Sequence, residues 1–257
     1  MATSVKIKFN NSVKKDRMKL SLFNVMQERI NHLKEIGKER TSETYKSALI
    51  SFAKFRNNRD ILFEYIDCNL MESYQAWLYK QNLTPNTISF YMRILRAVYN
   101  TAVDMNITEQ KKPFRHVYTG VEKTVKRAIS LKELKRIKQV NLPQNPGILF
   151  ARDIFLFSFY TRGMSFIDIA YLKKENLKNG TLSYRRKKTG QQLHIKWESC
   201  MQEIVSRYPS NTPYLLPIIN NPNGNERKQY LTRLSYINKQ LKKIATLSGL
   251  NIFYLCM

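Results

Sequence analysis

Apolar residues recur at helical spacing through most of the first hundred positions. In "LSLFNVMQERINHLKEIG", Leu22, Val25, Met26, Ile30 and Leu33 form one stripe, and Gly37 stands where a helix end favours glycine. "TSETYKSALISFAKF" repeats the stripe at Tyr45, Ala48, Leu49, Phe52 and Ala53, with Thr41 or Ser42 as its cap. "LMESYQAWLYKQN" is a third helix. The fourth is "TPNTISFYMRILRAVYNTAV", with Thr84 as N-cap and Pro85 at the first helical position, where its missing N–H costs nothing. Its apolar face is Ile88, Tyr91, Leu95 and Val98, and its other face shows Ser89, Arg93, Arg96 and Asn100. Periodicity leaves two readings of that polar face, solvent or the phosphates of a nucleic acid.

The stripe then lapses. "EQKKPFRHVYTGVEKTVKRA" is basic, holds Pro113 and Gly120, and reads as an interdomain linker. Order resumes at Ser130, where "SLKE" is a capping box opening a helix over Leu134 and Ile137. A buried helix follows over 148–160, and "SFID" has the form of a second capping box, Ser165 with Asp168. The period changes in "GTLSYRRKKTGQQLHIKW": Leu182 and Tyr184 alternate, "KKTGQQ" turns, and Leu193, Ile195 and Trp197 alternate again. That pattern predicts a β-hairpin with Gly190 at its turn. Two more helices follow, the last with Leu234, Ile237, Leu241 and Ile244 on one face. The chain thus divides into a basic arm (1–16), a helical domain (17–110), a linker (111–129) and a second domain (130–257).

Charge changes the picture most. The 257 residues hold 44 Lys and Arg against 19 Asp and Glu, a net charge of +25, and the excess runs through both domains. Such a field favours polyanions, with nucleic acid ahead of an acidic membrane surface. Cys68, Cys200 and Cys256 are odd in number and form no C-x-x-C, which points to a reducing cytoplasm without a disulfide framework or zinc site. The most apolar stretch, "GILFARDIFLFSFY", is broken by Arg152 and Asp153 and is too short to span a bilayer. No Walker A loop, G-x-G-x-x-G or H-E-x-x-H occurs, and His32, His116 and His194 share no ligand spacing, so no metal site is expected.

The fourth helix together with "FSFYTRGMSFIDIAYLKKENLKNGTLSYRRKKTGQQLHIKW" resembles the tyrosine recombinases, the phage-integrase family, and in style the integrases of Bacteroides-type mobile elements. The resemblance runs from about residue 17 and implies a mainly α fold. An N-terminal helical, SAM-like core-binding domain would be followed by an incomplete α+β catalytic domain with a small β-hairpin. Members clamp double-stranded DNA between the two domains, and an active-site tyrosine attacks the phosphodiester. Arginines hold the phosphate, a hairpin lysine protonates the leaving oxygen, and neither metal nor cofactor is used. The resemblance also implies further integrase protomers on the DNA as partners.

Carried over residue by residue, the hairpin lysine falls on Lys188, with Lys187 as its neighbour. The first arginine fits less directly. The family reads "TGLRISEL", whereas "RGMSFID" puts Ser165 at that place and Arg162 before the glycine. Either Arg162 reaches the phosphate from the adjacent turn, or the position is only Ser165 capping its helix with Asp168. Expected DNA contacts are Thr41, Thr44, Lys46, Thr87, Ser89, Arg93, Arg96 and Lys187. No H-x-x-R occurs, and Tyr254 lacks a preceding arginine box, so the catalytic set is expected to be truncated and inactive by itself. Loss of covering helices would then expose apolar faces on 231–249 and around Phe155, Phe157 and Phe159. The competing reading is a non-catalytic DNA-binding protein that occupies recombination sites. A basic RNA-binding or ribosome-associated protein is disfavoured, because RNA-stacking motifs are absent.

Overall fold

The computed structural model describes residues 20–123 and 129–250, so the basic arm expected over 1–16, and Tyr254 and Cys256, lie outside the described residues. The chain separates into two units between Val125 and Lys126.

The first unit is helical: α1 (Leu22–Glu35), α2 (Glu39–Phe55), α3 (Cys68–Lys80) and α4 (Pro85–Asp104), with a single 3-10 turn at Phe63–Tyr65. The stripes bury as their spacing predicts: Leu22, Met26, Ile30 and Leu33 of α1 are all buried, and Leu22 and Met26 share one core with Phe52, Tyr74, Met92 and Leu95. Each such side chain contributes roughly 1.5–3 kcal/mol by leaving water. Phe52 meets Tyr74 edge to face with centroids 4.9 Å apart. The Tyr74 hydroxyl donates to Ser51 Oγ at 2.8 Å, so its polar end is satisfied in the core.

Helix α1 takes its cap from a distance. Asp60 accepts from the Phe23 N–H at 3.0 Å and from Ser21 Oγ at 2.5 Å, answering donors that no intrahelical carbonyl can reach. The expected cap of α2 is corrected. That helix starts at Glu39, two residues before Thr41. Ser42 lies inside it, buried, and its hydroxyl donates across to the Ile30 carbonyl of α1 at 3.0 Å. The interhelical bond takes the hydroxyl that a cap would have used.

The segment expected as a linker over 111–129 is also corrected in its first part. Phe114 and Val117 are buried in the first core. The Tyr99 hydroxyl donates to the Glu109 carbonyl at 2.8 Å and accepts from the Lys111 N–H at 3.1 Å. Gln75 Oε1 accepts from the Tyr118 N–H, and Ser89 Oγ donates to the Gly120 carbonyl, both at 2.5 Å. Two apolar anchors three residues apart, without a longer stripe, are enough to fold this segment back over α4.

The second unit holds α5 (Leu131–Gln139), α6 (Pro146–Tyr160), α7 (Phe166–Ala170), β1 (Leu177–Lys178), β2 (Thr181–Arg185), β3 (Gln192–Lys196), α8 (Ser199–Arg207) and α9 (Glu226–Leu247). The capping box at Ser130 and Glu133 forms in both directions. The strands make an antiparallel sheet in the order β1-β2-β3, one strand more than the expected hairpin. Its register sets Leu182 opposite Ile195 and Tyr184 opposite Leu193. The inward face of the alternating pattern therefore meets the helices, while His194 sits on the exposed side with Nδ1 2.8 Å from Ser183 Oγ.

Helix α6 is the centre of this core. Its one buried charge, Asp153, accepts from Arg207 and, at 2.9 Å, from the Tyr208 hydroxyl, and lies 3.3 Å from Arg152 Nε. The pair that interrupts the apolar run is thus a pin joining α6 to the end of α8. Phe155 and Phe157 are buried, contrary to the expected loss of cover, while Phe159 is exposed. On α9, Ile237, Leu241 and Ile244 are buried, whereas Leu231 and Leu247 are exposed. No helix among the described residues is long and apolar enough to cross a membrane.

Candidate functional site

Two places gather the candidate residues, one in each unit. In the first, α2 and α4 flank an open cleft lined by Arg40, Glu43, Thr44 and Ser47 on one side and Asn86, Thr87, Phe90 and Tyr91 on the other. Thr44 and Thr87 therefore meet across one space. Thr41 and Lys46 are exposed on α2 outside that lining. Thr44 Oγ donates to the Arg40 carbonyl at 2.8 Å and Ser47 Oγ to the Glu43 carbonyl at 3.0 Å, leaving these oxygens as acceptors toward the cleft.

The polar face of α4 has a use that neither expectation foresaw. Ser89 is buried and bonded to Gly120, so it is corrected from a contact residue to a structural one. Arg96 is exposed but donates to Thr119 Oγ at 3.1 Å. Asn86 holds the backbone of Glu122 from both sides, donating at 3.1 Å and accepting at 2.8 Å. The face that reads as solvated or DNA-facing is partly occupied by the chain's own return segment. Arg93 remains exposed beside it.

In the second unit the candidates sit in two turns. Helix α6 ends in a left-handed closure: Arg162 has φ +59° and Gly163 φ +80°, and their N–H groups donate to Phe159 and Ser158 carbonyls at 3.0 and 2.8 Å. Arg162 is exposed. Ser165 caps α7: its Oγ accepts from the Asp168 N–H at 3.4 Å and donates to Asp168 Oδ2 at 2.6 Å. The capping alternative for Ser165 is therefore what forms, and Arg162 stays open to solvent.

The second turn joins β2 to β3 and carries Lys187 and Lys188. It is closed by the Gly190 N–H donating to the Arg186 carbonyl at 2.8 Å, with Gly190 at φ +72° where a side chain would be strained. Lys188 is exposed at its tip. Lys187 is different. Its N–H donates to Asp168 Oδ1 at 2.8 Å, and its ammonium lies 3.5 Å from the centroid of the Tyr171 ring. Partial burial pulls the Lys187 ammonium below the ordinary lysine range, against the opposing pull of Glu226 and Asp168.

Asp168 is the residue that the sequence reading undervalued. It is buried, its Oδ2 caps α7 with Ser165, and its Oδ1 holds the hairpin turn. It thereby sets the Lys187 turn beside the helix that begins just after Arg162. The capping box announced one of its oxygens, and no local signal announces the other. Tyr171 and Glu226 were missed for the same reason, since each acts across a long sequence separation. Among the described residues no group of His, Cys, Asp and Glu is arranged to hold a metal.

Residues 21–119 match the phage integrase SAM-like domain family. Solved structures share the fold across most of the chain. A lambda integrase dimer bound to a COC' core site matches with a TM-score of 0.65 at 15% identity, over 90% of this chain and 80% of that one. A lambda integrase tetramer bound to a Holliday junction matches with 0.65 at 14%, over 95% and 73%. The Tn1549 transposon integrase in complex with transposon right end DNA matches with 0.54 at 11%, over 90% and 92%. No curated protein matches. The family match ends at residue 119, inside the return segment that packs on α4, so it takes in most of the folded first unit. The SAM-like match thus covers most of the first unit, and the fold over nine-tenths of the chain is shared with the lambda and Tn1549 integrases.

Proposed function

We propose that this chain is a duplex-DNA-binding member of a mobile-element, site-specific integrase, working in the cytoplasm with other protomers on the same DNA. The observation that carries this reading is the α2–α4 cleft. It is an open space lined by hydroxyl, amide and aromatic side chains and by the Arg40–Glu43 pair, within the matched SAM-like region of a chain of net charge +25. Acceptor oxygens at Thr44 and Ser47 and the exposed Phe90 ring suit base edges, and Arg40 suits a phosphate. Thr41, Lys46 and Arg93 are proposed as flanking phosphate contacts. Arg162 and Lys188 are proposed to approach a phosphate in the second unit, where a guanidinium and an ammonium would offset its charge. The test is fluorescence anisotropy on duplex carrying the element's own junction, with salt varied. A Thr44→Ala, Thr87→Ala double variant should weaken binding to the junction at least tenfold more than to random duplex. Equal losses on both, or no binding at all, overturn the reading.

Non-catalytic site occupancy is the second reading, and one observation favours it: these 257 residues contain no H-x-x-R. A phosphate clamp without that arginine and without a nucleophile would position DNA and not cut it. A purified 257-residue polypeptide incubated with junction DNA should give no covalent adduct on a denaturing gel. An adduct that vanishes with Tyr254→Phe would make the chain an active strand-transfer enzyme instead.

A further inference from the structure

The β2–β3 turn carries two adjacent exposed lysines, one held by partners and one not. Lys188 is exposed and makes no hydrogen bond or ion pair among the described residues. Lys187 is held at both ends, by the Asp168 carboxylate at its N–H and by the Tyr171 ring at its ammonium. The ring is itself set in place by two other segments, the stretch around Tyr214 and helix α9. Tyr214 meets Tyr171 edge to face, with centroids 6.0 Å apart and planes at 90°. Tyr214 is fixed because its strand pairs with the chain just after α7: the Leu215 N–H donates to Leu172 at 2.7 Å and the Lys174 N–H to Pro213 at 2.9 Å. The Tyr214 hydroxyl donates to Glu226 in the first turn of α9. Behind Tyr171, Tyr230 continues the stack toward Phe166 in the core.

A lysine on an exposed turn ordinarily keeps all its rotamer freedom. Fixing one residue of a three-residue turn at both its backbone and its side-chain end also restrains the neighbour. We propose that Tyr171, Tyr214 and Glu226 are positioning residues that seat the β2–β3 turn by clasping Lys187, and so present Lys188 to a DNA phosphate. The Tyr171 ring covers the ammonium and takes water from it, a net cost to the charged form, and the Glu226 and Asp168 carboxylates, the first oriented by Tyr214, supply the opposing charge. Asp168 fixes the backbone end. Division of labour between the two lysines follows, with one spent on geometry so that the other arrives oriented. The part concerning Lys188 rests on the DNA-binding reading, and the clasp itself does not.

Two measurements separate these parts. The first needs no DNA. In protein whose lysines are 13C-dimethylated, the Lys187 resonance, assigned by its loss in Lys187→Arg, is titrated. It should titrate below the ordinary lysine range. Tyr171→Ala removes the desolvating ring and should move it up toward that range, whereas Glu226→Gln removes an opposing charge and should move it further down. Tyr171→Phe, which keeps the ring, should leave it near its starting place and guards against a folding defect in the alanine variant. Shifts of the same sign in Tyr171→Ala and Glu226→Gln, or none, overturn the clasp. The second is a double-mutant cycle on duplex DNA. Lys188→Ala should lower the slope of log affinity against log salt by about one in the parent. In a Glu226→Gln, Tyr214→Phe background the same change should be at most half as large. An equal change in both backgrounds, or none in the parent, overturns the positioning role even if the clasp stands. Absence of any duplex binding sinks the DNA reading and with it the presentation of Lys188, while the titration still decides the clasp.

Discussion

The two units differ in whether they bury charge. Among its described residues the first buries Ser21, Ser42 and Ser89, all hydroxyls. The second buries the hydroxyls of Ser158 and Thr161 and the amide of Gln240, and adds two carboxylates, Asp153 and Asp168. A hydroxyl gives up little hydration and needs one or two partners, whereas a carboxylate must be answered on both oxygens or its burial is costly. Asp153 is answered from α8 and from its own helix, and Asp168 from α7 and the hairpin turn. The first unit is therefore a packing solution stitched by neutral hydroxyls, Ser21 to Asp60, Ser42 to Ile30 and Ser89 to Gly120. The second spends ionic groups on holding elements together across long separations, and both of its candidate turns border one of them.

That contrast is sharpest at Asp153. Asp153→Ala should lower the stability of the second unit by about 3 kcal/mol, because the Tyr208 hydroxyl and Arg152 lose their shared partner. Arg207 is half exposed and can return to water, which keeps the loss from being larger. Each unit has one of the two tryptophans, Trp77 in the first and Trp197 in the second, so urea unfolding in Trp77→Phe and Trp197→Phe backgrounds reads them separately. A shift of the Trp77 transition in Asp153→Ala would mean the units do not unfold independently. The hydroxyl counterpart is smaller. Ser42→Ala removes the bond to Ile30 and should cost the first unit about 1 kcal/mol in the same assay. A loss as large as that at Asp153 would erase the distinction between the two kinds of burial.

The smallest expected difference appears in alkali. Burial first, then the bond to Asp153, raises Tyr208 above the ordinary tyrosine range, and burial first, then Glu226, does the same for Tyr214. Tyr184 is raised by burial and by Asp168. In the first unit Tyr74 is raised by burial, among the described residues. A tyrosine whose folded value is raised keeps its proton when the unfolded chain has lost it. Stability is therefore intact below about pH 10 and falls as pH rises through the window above it. Lys187, held low, acts in the opposite sense and below that window. Urea midpoints measured from pH 9 to 11 should fall in both units and faster by Trp197 than by Trp77. Parallel curves would show that the three tyrosines of the second unit carry no more weight than Tyr74.

Much of the fold was legible because it is local. Leu22, Met26, Ile30 and Leu33 announce α1, Ser130 and Glu133 announce α5, and the alternation at Leu182, Tyr184, Leu193 and Ile195 announces the hairpin. The cap of α2 was misread because Ser42 prefers a carbonyl twelve residues away to its own helix end. The return segment was misread because Phe114 and Val117 follow no period. Of the candidate site, Ser165 with Asp168 and the lysine turn could be seen from spacing. The links from Asp168 to Lys187, from Lys187 to Tyr171 and from Tyr214 to Glu226 could not, since only the folded chain brings those residues together.

Arg162 stands at the left-handed residue that closes α6. A side chain in that conformation costs roughly 1 kcal/mol that glycine would not. Elsewhere among the described residues the chain meets the same demand with glycine, with Lys112, and with asparagine at Asn57, Asn58, Asn82, Asn106 and Asn179, which bears it better than other side chains do. Under selection for folding alone, mutation at position 162 would drift toward glycine or asparagine, and each such step would gain stability. Arg162 is thus a position where a gain in stability and the phosphate contact proposed for it would pull in opposite directions.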